Sequence, residues 1–239
     1  MTLDSSAVGR RQEVTANLQE VRRRIERACA DSGRRPEDIE LIVVTKFFPV
    51  SDIVLLTELG VRNVGENRDQ EAREKLTDPR LRNAGLTRHF IGQLQTNKAA
   101  SVVSYADAIH SVDRHRLAVA LARAAAASGR RPRVLVQVSL DDQPGRGGAP
   151  VHEAPALADA IAAEPALELG GVMAVAPMEA DPDVAFARLQ EVWTRIRAEH
   201  PEANWLSAGM SGDLEAAIRY GATHLRVGSA ILGSRPALR

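Results

Sequence analysis

The chain has 239 residues, of which 44% are hydrophobic and 26% are charged, and these proportions exclude wholesale disorder because they are typical of globular proteins. Lysine plus arginine and aspartate plus glutamate both number 31, so the net charge of zero disfavours a dedicated nucleic-acid-binding protein, which usually has a basic excess. The single cysteine, Cys29, excludes an internal disulfide and a multi-cysteine metal site, and we expect no metal.

Nothing in the sequence directs the chain to a membrane. No apolar stretch approaches the ~18 residues that a membrane span needs. The N-terminal residues, MTLDSSAVGRRQ, lack the apolar core of a secretory signal. We therefore expect a cytoplasmic protein without a membrane contact.

The chain starts with an amphipathic segment, which predicts a helix over 14–30 within an N-terminal helical extension of residues 1–35. Short apolar runs then recur along the chain, each of a length that is typical of a buried strand. They predict eight strands, at 41–44, 61–64, 89–92, 108–112, 133–139, 169–175, 205–208 and 223–227.

A stretch with helical periodicity follows each of the first seven strands. Gly60 closes the first of these stretches, as glycine often does at a helix end. Asp181-Pro182 marks the start of the sixth. The predicted helices lie at 52–60, 67–76, 96–103, 113–128, 152–163, 183–199 and 212–220.

Strands that alternate with helices favour a parallel sheet, because a crossover between parallel strands needs a dozen or more residues. Eight such units fit a closed (β/α)8 TIM barrel better than an open doubly wound sheet, which stays open as the alternative. No glycine- or serine-rich linker divides the chain. The sequence therefore predicts one α/β domain over 1–239.

Polar residues cluster at the C-terminal ends of the predicted strands, which is where a barrel of this type carries its chemistry. His89 differs from the rest because it starts its strand. The residues at or just beyond a strand end are Lys46, Glu66, Asn67, Gln93, His110, Asp113, Ser211, Asp213, Arg226 and Ser229. Their placement predicts a functional site at this end of the barrel.

Lys46 follows four apolar residues and precedes Phe47-Phe48-Pro49. Low polarity around an amine disfavours its charged form and lowers its pKa, and a neutral amine is what Schiff-base formation with an aldehyde requires. A lysine at a strand end can instead extend its ammonium group into water or pair with a carboxylate. The strand context alone leaves both interpretations open.

Two glycine- and serine-rich loops follow the last two strands, at 209–212 and 228–230. Exposed amides at a helix N-terminus, with glycines that permit close approach and a hydroxyl beside them, form a phosphate site. The loops after the seventh and eighth strands are the frequent phosphate site of TIM barrels. Glycine also simply ends strands and starts turns, so each loop alone is weak evidence.

Arg226 lies between Leu225 and Val227 in the last strand, so it faces the opposite side of the sheet from both neighbours. It points either into the barrel or across the outer helices. An inward arginine needs a partner because a desolvated guanidinium is costly. A ring nitrogen with a lone pair or a carboxylate would serve.

An amine at the first strand, a phosphate site at the last two and an arginine between them match the needs of pyridoxal 5′-phosphate. Seven segments, spread from the first strand to the eighth, carry a closer likeness. They are VTKFFP (44–49), VGEN (64–67), RHFIGQLQTNK (88–98), HSVD (110–113), GVMAVAP (171–177), LSAGMSGDLEAAI (206–218) and THLRVGSAILG (223–233). The chain thereby resembles the YggS/PROSC-like pyridoxal phosphate homeostasis family.

The resemblance implies a barrel like the N-terminal domain of alanine racemase, in the fold type III class of pyridoxal-phosphate-dependent proteins. It further implies that Lys46 carries the cofactor as a Schiff base and that Arg226 faces the pyridine nitrogen. No catalytic residue follows from it. The residues implied to bind the cofactor are Lys46, Asn67, His89, Ser211, Arg226, Gly228 and Ser229.

The chain departs from the family pattern at three places. Arg68 stands where an aromatic residue often follows GEN, Ala208 stands where methionine is common, and 142–147 differs from the usual glutamate–lysine–glycine segment. Arg68 and 142–147 alter the rim of the expected pocket and put partner or ligand contacts there in doubt. The lysine, the two loops and the arginine are retained.

The family implies a protein that controls free pyridoxal phosphate, without robust enzyme activity. An arginine at the pyridine nitrogen disfavours ring protonation and so weakens the electron sink that pyridoxal enzymes use. Tyr105 and Tyr220, the two tyrosines, are expected at the far end of the barrel, so no second base faces Lys46.

The expected partners are pyridoxal phosphate, apo-enzymes that use it and small amino acids, and we expect a monomer. The alternative function is a pyridoxal-phosphate-dependent racemase or another small amino-acid enzyme. A third class is a phosphate-sugar barrel enzyme without the cofactor, in which Glu66 or Asp113 would be the general base.

Overall fold

The computed structural model describes residues 5–141 and 147–234. Eight parallel strands form a closed barrel in which each strand pairs with its neighbours in chain order and β8 pairs with β1. The strands are β1 Glu40–Val44, β2 Asn63–Glu66, β3 Thr87–Phe90, β4 Ala108–Val112, β5 Arg133–Gln137, β6 Glu168–Met173, β7 Trp205–Ser207 and β8 His224–Val227. The predicted TIM barrel is confirmed, and the open sheet is wrong.

Helices surround the barrel, and three 3₁₀ turns (36–38, 79–81 and 96–98) lie in the connections. Within the described ranges, none of the helices combines the length and the apolar character that a membrane span requires. The helices are α1 Ser5–Asp31, α2 Val50–Glu58, α3 Asp69–Leu76, α4 Ala99–Tyr105, α5 His115–Ser128, α6 Ala154–Ala162, α7 Pro182–Glu199, α8 Leu214–Arg219 and α9 Ser229–Leu232.

The second and third strands are displaced from the predicted positions. The prediction placed them at 61–64 and 89–92, whereas β2 starts at Asn63 and β3 starts at Thr87. Val61 is buried in the outer core before its strand starts. The apolar runs therefore misled the prediction, because β2 and β3 begin with the polar residues Asn63 and Thr87.

The core has two layers, separated by the barrel wall. In β1, Val43 packs outward among residues of the helices. Ile42 and Val44 face inward, where Ile42 lies against Gly65 of β2 and Val44 lies against Gly228, just after β8. This alternation follows from the two-residue period of a strand. These two glycines leave room for the side chains of Ile42 and Val44 in the interior.

The N-terminal helix α1 occupies the place of the helix that would follow β8. In the part of the chain that the structure describes, only the four-residue α9 comes after β8. Helix α1 packs instead on α8 and α9, and it buries an apolar stripe of Val14, Leu18, Val21, Ile25 and Ala28. Of the predicted extension 1–35, residues 1–4 lie outside the described part.

We predict that Leu18→Ala destabilises the whole barrel, because Leu18 is 1% exposed and its truncation leaves a cavity between α1 and the barrel. The expected loss in the free energy of unfolding is about 2–5 kcal/mol. Guanidinium unfolding followed by far-UV circular dichroism and by tryptophan fluorescence should show one transition that moves to lower denaturant.

Val8→Ala, at a position of α1 that is 39% exposed, is the matched control and should change the free energy of unfolding by less than about 0.5 kcal/mol. A separate early transition in Leu18→Ala, with the fluorescence midpoint unchanged, would contradict the role of α1 as part of the barrel wall.

Candidate functional site

The C-terminal ends of β7, β8 and β1 are neighbours, and the loops that leave them form one side of the barrel mouth. The backbone N–H of Arg226 in β8 donates to the carbonyl of Gly209, just after β7. A Cβ at Gly228, just after β8, would lie 3.2 Å from Val44 Cβ at the end of β1. The three strand ends therefore bring the two glycine-rich loops beside the turn that carries Lys46.

Lys46 lies two residues beyond β1, in a tight turn, and it is half-buried. The turn closes through a hydrogen bond from the N–H of Phe48 to the carbonyl of Thr45. Phe47 has a φ of 70°, which is the left-handed conformation that non-glycine residues adopt at a cost. Lys46 is therefore on a short, strained turn that needs support from its surroundings.

The two predicted phosphate loops meet at their serines. Ser229 Oγ lies 3.3 Å from Ser211 Oγ, and the N–H of Ala230 donates to Ser211 Oγ at 3.4 Å. Gly209 has a φ of 89°, and a Cβ there would lie 2.7 Å from Ala217 Cβ. Two hydroxyls and a backbone amide thus converge, which is the donor set that a phosphate group accepts from.

Helix α1 holds both loops from outside the barrel. Arg24 Nη1 donates to the carbonyl of Ser211 at 3.0 Å, and its guanidinium also pairs with Glu215. Asn17 Nδ2 donates to the carbonyl of Ile231 at 3.1 Å. The positions of the serine hydroxyls therefore depend on the N-terminal helix.

Arg226 points into the barrel, as one of the two interpretations of its position requires. It is 4% exposed. Its Nη1 donates to Ser207 Oγ at 2.7 Å and its Nη2 to the carbonyl of Ala174 at 2.8 Å. Burial lowers the pKa of Arg226 to about 10, so the guanidinium is charged at neutral pH. Among the described residues, its hydrogen-bond partners are neutral oxygens, with no carboxylate.

A chain of hydrogen bonds runs from this arginine through the barrel interior. Ser207 Oγ lies 3.0 Å from His110 Nδ1, and His110 Nε2 lies 2.9 Å from His89 Nδ1. His89 Nε2 lies 3.0 Å from Asn63 Oδ1, and Asn63 Nδ2 donates to Glu40 Oε2 at 2.8 Å. The chain therefore joins a buried cation to a carboxylate at the opposite end of the barrel.

One assignment of protons satisfies every bond of this chain. Because Asn63 donates its amide to Glu40, its Oδ1 accepts from His89 Nε2–H, and His89 Nδ1 then accepts from His110 Nε2–H. Ser207 donates to His110 Nδ1 and accepts from Arg226. Both histidines are neutral in this arrangement. Burial supports it, since it lowers the pKa of His89 to about 3 and that of His110 well below its usual value.

Asn67 lies at the strand end, where the sequence places it. Its Oδ1 is buried, and no residue of the described ranges donates a hydrogen bond to it. A buried carbonyl oxygen without a donor is costly, so this atom is suited to a ligand with a hydroxyl or amine. Asn67 thus joins Lys46, the two loops and Arg226 at the same end of the barrel.

His89 lies deeper in the barrel than the other predicted site residues. It is fully buried, and its ring is 6.1 Å from that of Trp205 and 6.5 Å from that of His224. Those two residues start β7 and β8, so they belong to the N-terminal half of the barrel. The structure places His89 within the hydrogen-bond chain, where Ser207 and His110 separate it from Arg226.

The two carboxylates considered as general bases are both engaged. Glu66 is fully buried, and its Oε1 accepts from Thr45 Oγ1 at 2.7 Å and pairs with Lys75 Nζ at 2.5 Å. Asp113 forms an ion pair with Arg114. In the rim segment 142–147, residues 142–146 lie outside the described ranges.

Sequence reasoning did not assign Ser207, Lys75 or the interior role of His110. The signals were present but weak: His110 was noted only as a strand-end residue, and Glu71 and Lys75 are spaced for contact on one helix face. No group of His, Cys, Asp and Glu side chains within the described residues has a geometry that could hold a metal ion.

Comparisons with known proteins place this geometry in a family. Residues 11–236 match the alanine racemase N-terminal domain family. The pyridoxal phosphate homeostasis protein of Mycobacterium tuberculosis is 44% identical over 254 aligned positions, which cover 98% of each sequence. The sequence-based resemblance is confirmed.

Solved structures have the same fold. PipY of Synechococcus elongatus with PLP bound is 31% identical, with a TM-score of 0.81 over 92% of this chain and 100% of that one. An alanine racemase of Clostridium difficile, 17% identical, shares the fold with a TM-score of 0.71 over 95% of this chain and 60% of its own.

We predict that the protein loses stability as the pH falls from about 6.5 towards 3. In the unfolded chain a histidine takes up a proton near pH 6.5, whereas burial lowers the pKa of His89 and His224 to about 3 in the folded chain. The unfolded state therefore binds more protons in this window, and each buried histidine should reduce the free energy of unfolding by about 1.4 kcal/mol per pH unit.

Urea unfolding between pH 7.5 and 5 measures this slope. His89→Gln should have a shallower slope than the wild type, while His152→Gln, whose parent side chain is 82% exposed, should retain the wild-type slope. A free energy of unfolding that stays constant from pH 7 to 5 would show that these histidines titrate in the folded barrel.

Proposed function

The chain belongs to the alanine racemase N-terminal domain family, and from this premise we propose that it binds pyridoxal 5′-phosphate and acts in pyridoxal phosphate homeostasis. In this role it holds the cofactor on Lys46 and supplies or buffers it. The observation that carries the proposal is the convergence of Lys46, the Ser211–Ser229 pair and Arg226 on adjacent strand ends. Bound pyridoxal phosphate supplies an aldehyde that condenses reversibly with a primary amine and releases water.

Lys46 is the amine best placed for this attachment. The chain has three lysines, Lys46, Lys75 and Lys98. Lys75 Nζ is buried and donates to Thr45 O at 2.8 Å, and Lys98 lies on the outer surface with 52% of its side chain exposed. Lys46 alone of the three stands at a strand end beside the two loops, where it is half-buried.

The phosphate group and the ring hydroxyl of the cofactor also have suitable partners in this site. Ser211, Ser229 and the amide of Ala230 offer donors at one place, and Gly228 permits a close approach. The unsatisfied Asn67 Oδ1 would accept from the ring hydroxyl of the cofactor. The residues present therefore fit the group, and all of them except His89 have a proposed contact with it.

The position of Arg226 favours a protein that binds the cofactor over one that uses it for strong catalysis. An arginine has five N–H donors, and the two bonds to Ser207 and Ala174 leave others to face the pyridine nitrogen. A fixed cation there disfavours protonation of the ring and so weakens its electron sink. An amino-acid racemase would need a second acid–base group as well.

The tyrosines do not offer that second group. Tyr105 is buried outside the barrel, where its hydroxyl bonds to Asp69 and burial raises its pKa. Tyr220 follows directly after α8, at the N-terminal end of the barrel. We further propose that small amino acids and apo-enzymes that use the cofactor are the partners, that the protein is cytoplasmic and that it is a monomer.

We predict that Lys46→Ala abolishes covalent capture of pyridoxal phosphate, because the variant lacks the amine at the strand end. The wild-type protein should gain an absorbance band near the visible edge when pyridoxal phosphate is added, and borohydride should fix the group on the peptide that contains Lys46. Spectra and peptide mass spectrometry measure both effects.

Lys98→Ala is the control and should retain the band. Since only three lysines are available, the mapping is unambiguous. A borohydride-stable band in Lys46→Ala, or label on Lys98 in the wild type, would refute the assignment of Lys46.

A further inference from the structure

Three charged residues form a buried group beside the Lys46 turn, outside the barrel wall. Glu66 ends β2, and Glu71 and Lys75 lie one turn apart on α3. Glu66 is 0% exposed and Lys75 is 7% exposed. Lys75 Nζ lies 2.5 Å from Glu66 Oε1 and 2.9 Å from Glu71 Oε1. We call these three residues the acidic–lysine triad.

The cation of the triad binds the backbone on both sides of Lys46. Lys75 Nζ donates to the carbonyl of Thr45 at 2.8 Å and to the carbonyl of Phe48 at 3.1 Å. One ammonium group therefore ties together the first and last residues of the turn. An ammonium group that only paired with the two carboxylates would not also bond to the backbone carbonyls of Thr45 and Phe48.

The carboxylates of the triad bind the same turn. Glu71 Oε1 accepts from the backbone N–H of Phe47 at 2.5 Å, the residue with the left-handed φ of 70°. Glu66 Oε1 accepts from Thr45 Oγ1 at 2.7 Å. A strained conformation persists only where its surroundings fix it, and here the fixing bonds come from Glu71 and Glu66 on either side of Lys46.

We propose that the acidic–lysine triad is a positioning unit, which holds the 45–48 turn so that Lys46 Nζ is presented to the aldehyde of the cofactor. The triad does not touch the cofactor; it acts through the backbone of the turn. This inference rests on the proposed function for the identity of the ligand. A small displacement of a reacting group reduces the rate of its reaction strongly, so the triad controls how fast Lys46 captures pyridoxal phosphate.

Glu71 is the residue on which to test this role. Removal of Lys75 would leave two carboxylates buried without their cation and would destabilise the fold. Glu71 is half-buried on α3, so its side chain can be changed at less risk. Glu71→Met keeps the size of the side chain and removes the acceptor for Phe47 N–H, whereas Glu71→Gln keeps an acceptor oxygen. Glu74→Met is the matched control, at an exposed position of the same helix.

Two measurements report whether the 45–48 turn still positions Lys46. The first is the second-order rate at which the absorbance band appears after pyridoxal phosphate is added to cofactor-free protein. The second needs no cofactor: limiting acetic anhydride is added to folded protein, and mass spectrometry gives the ratio of acetylation at Lys46 to that at Lys98. Far-UV circular dichroism and the melting temperature establish that each variant is folded.

We expect Glu71→Met to slow capture by about tenfold or more and to raise the Lys46-to-Lys98 acetylation ratio, because a loosened turn exposes the half-buried amine. Glu71→Gln should restore both values to near those of the wild type, and Glu74→Met should match the wild type. Wild-type capture and acetylation in a folded Glu71→Met protein would overturn the proposal and leave the triad a stabilising element only.

If the Glu71→Met protein does not fold, two substitutions of Thr45 provide a second pair of variants. Thr45→Val removes the hydroxyl that Glu66 accepts from, while Thr45→Ser keeps it, so capture and the acetylation ratio should change in the first variant and not in the second. Equal behaviour of the two would overturn the proposal. If the wild type captures no pyridoxal phosphate, the proposed function fails, and the acetylation ratio still decides whether the triad positions Lys46.

Discussion

Burial of one guanidinium inside a closed barrel is the constraint on which the rest of the site depends. Arg226 is desolvated, and its guanidinium donates hydrogen bonds to the neutral oxygens of Ser207 and Ala174. A buried cation without a carboxylate is costly. In the barrel interior, part of that cost is offset by dipoles, because every donor in the chain from Ser207 to Asn63 points away from the arginine and towards Glu40. The uniform direction requires neutral histidines, and burial keeps them neutral.

The two halves of the site are supported from outside the barrel by different helices. Helix α1 reaches over α8 and α9 and bonds the carbonyls of Ser211 and Ile231, which fixes the serine loops. Helix α3 supplies Glu71 and Lys75, which bond the Lys46 turn. Strand ends alone define where the loops start, whereas these two helices define how they are shaped. A functional group held by contacts of this kind is more precise than one on an unsupported loop.

The sequence predicts the barrel and the strand-end residues because both depend on local pattern. Apolar runs and helical periods locate the eight units, and Lys46, Ser211 and Ser229 follow from their positions after strands. The interior chain is different. His110 and Ser207 are 97 residues apart, and their contact depends on the closure of the barrel and on a register shift in β4 between Ile109 and Val112, which no local pattern encodes.

Long-range contacts also explain why the roles of Lys75 and Arg24, outside the barrel, could not be predicted from the sequence. The contacts of Lys75 with Thr45 and Phe48 span 30 and 27 residues, and a lysine on a charged helix gives no sign that it is buried. In the sequence, nothing distinguishes Arg24 from the other arginines of α1. Its contacts with Ser211 and Glu215 arise because α1 takes the place of the eighth helix. Sequence pattern shows which residues stand at the mouth, and tertiary contacts decide which others hold them there.

The contacts that fix the site also bear on its function. The groups that would meet pyridoxal phosphate are fixed by contacts to the protein itself: Arg226 by Ser207, the serine loops by α1 and the lysine turn by the triad. A site that is already formed binds with little loss of conformational entropy, because few groups become ordered on binding. Release then leaves the same arrangement ready to bind again. The proposed reversible attachment of the cofactor through Lys46, on a barrel whose site is already formed, would suit a protein that stores and passes on its cofactor.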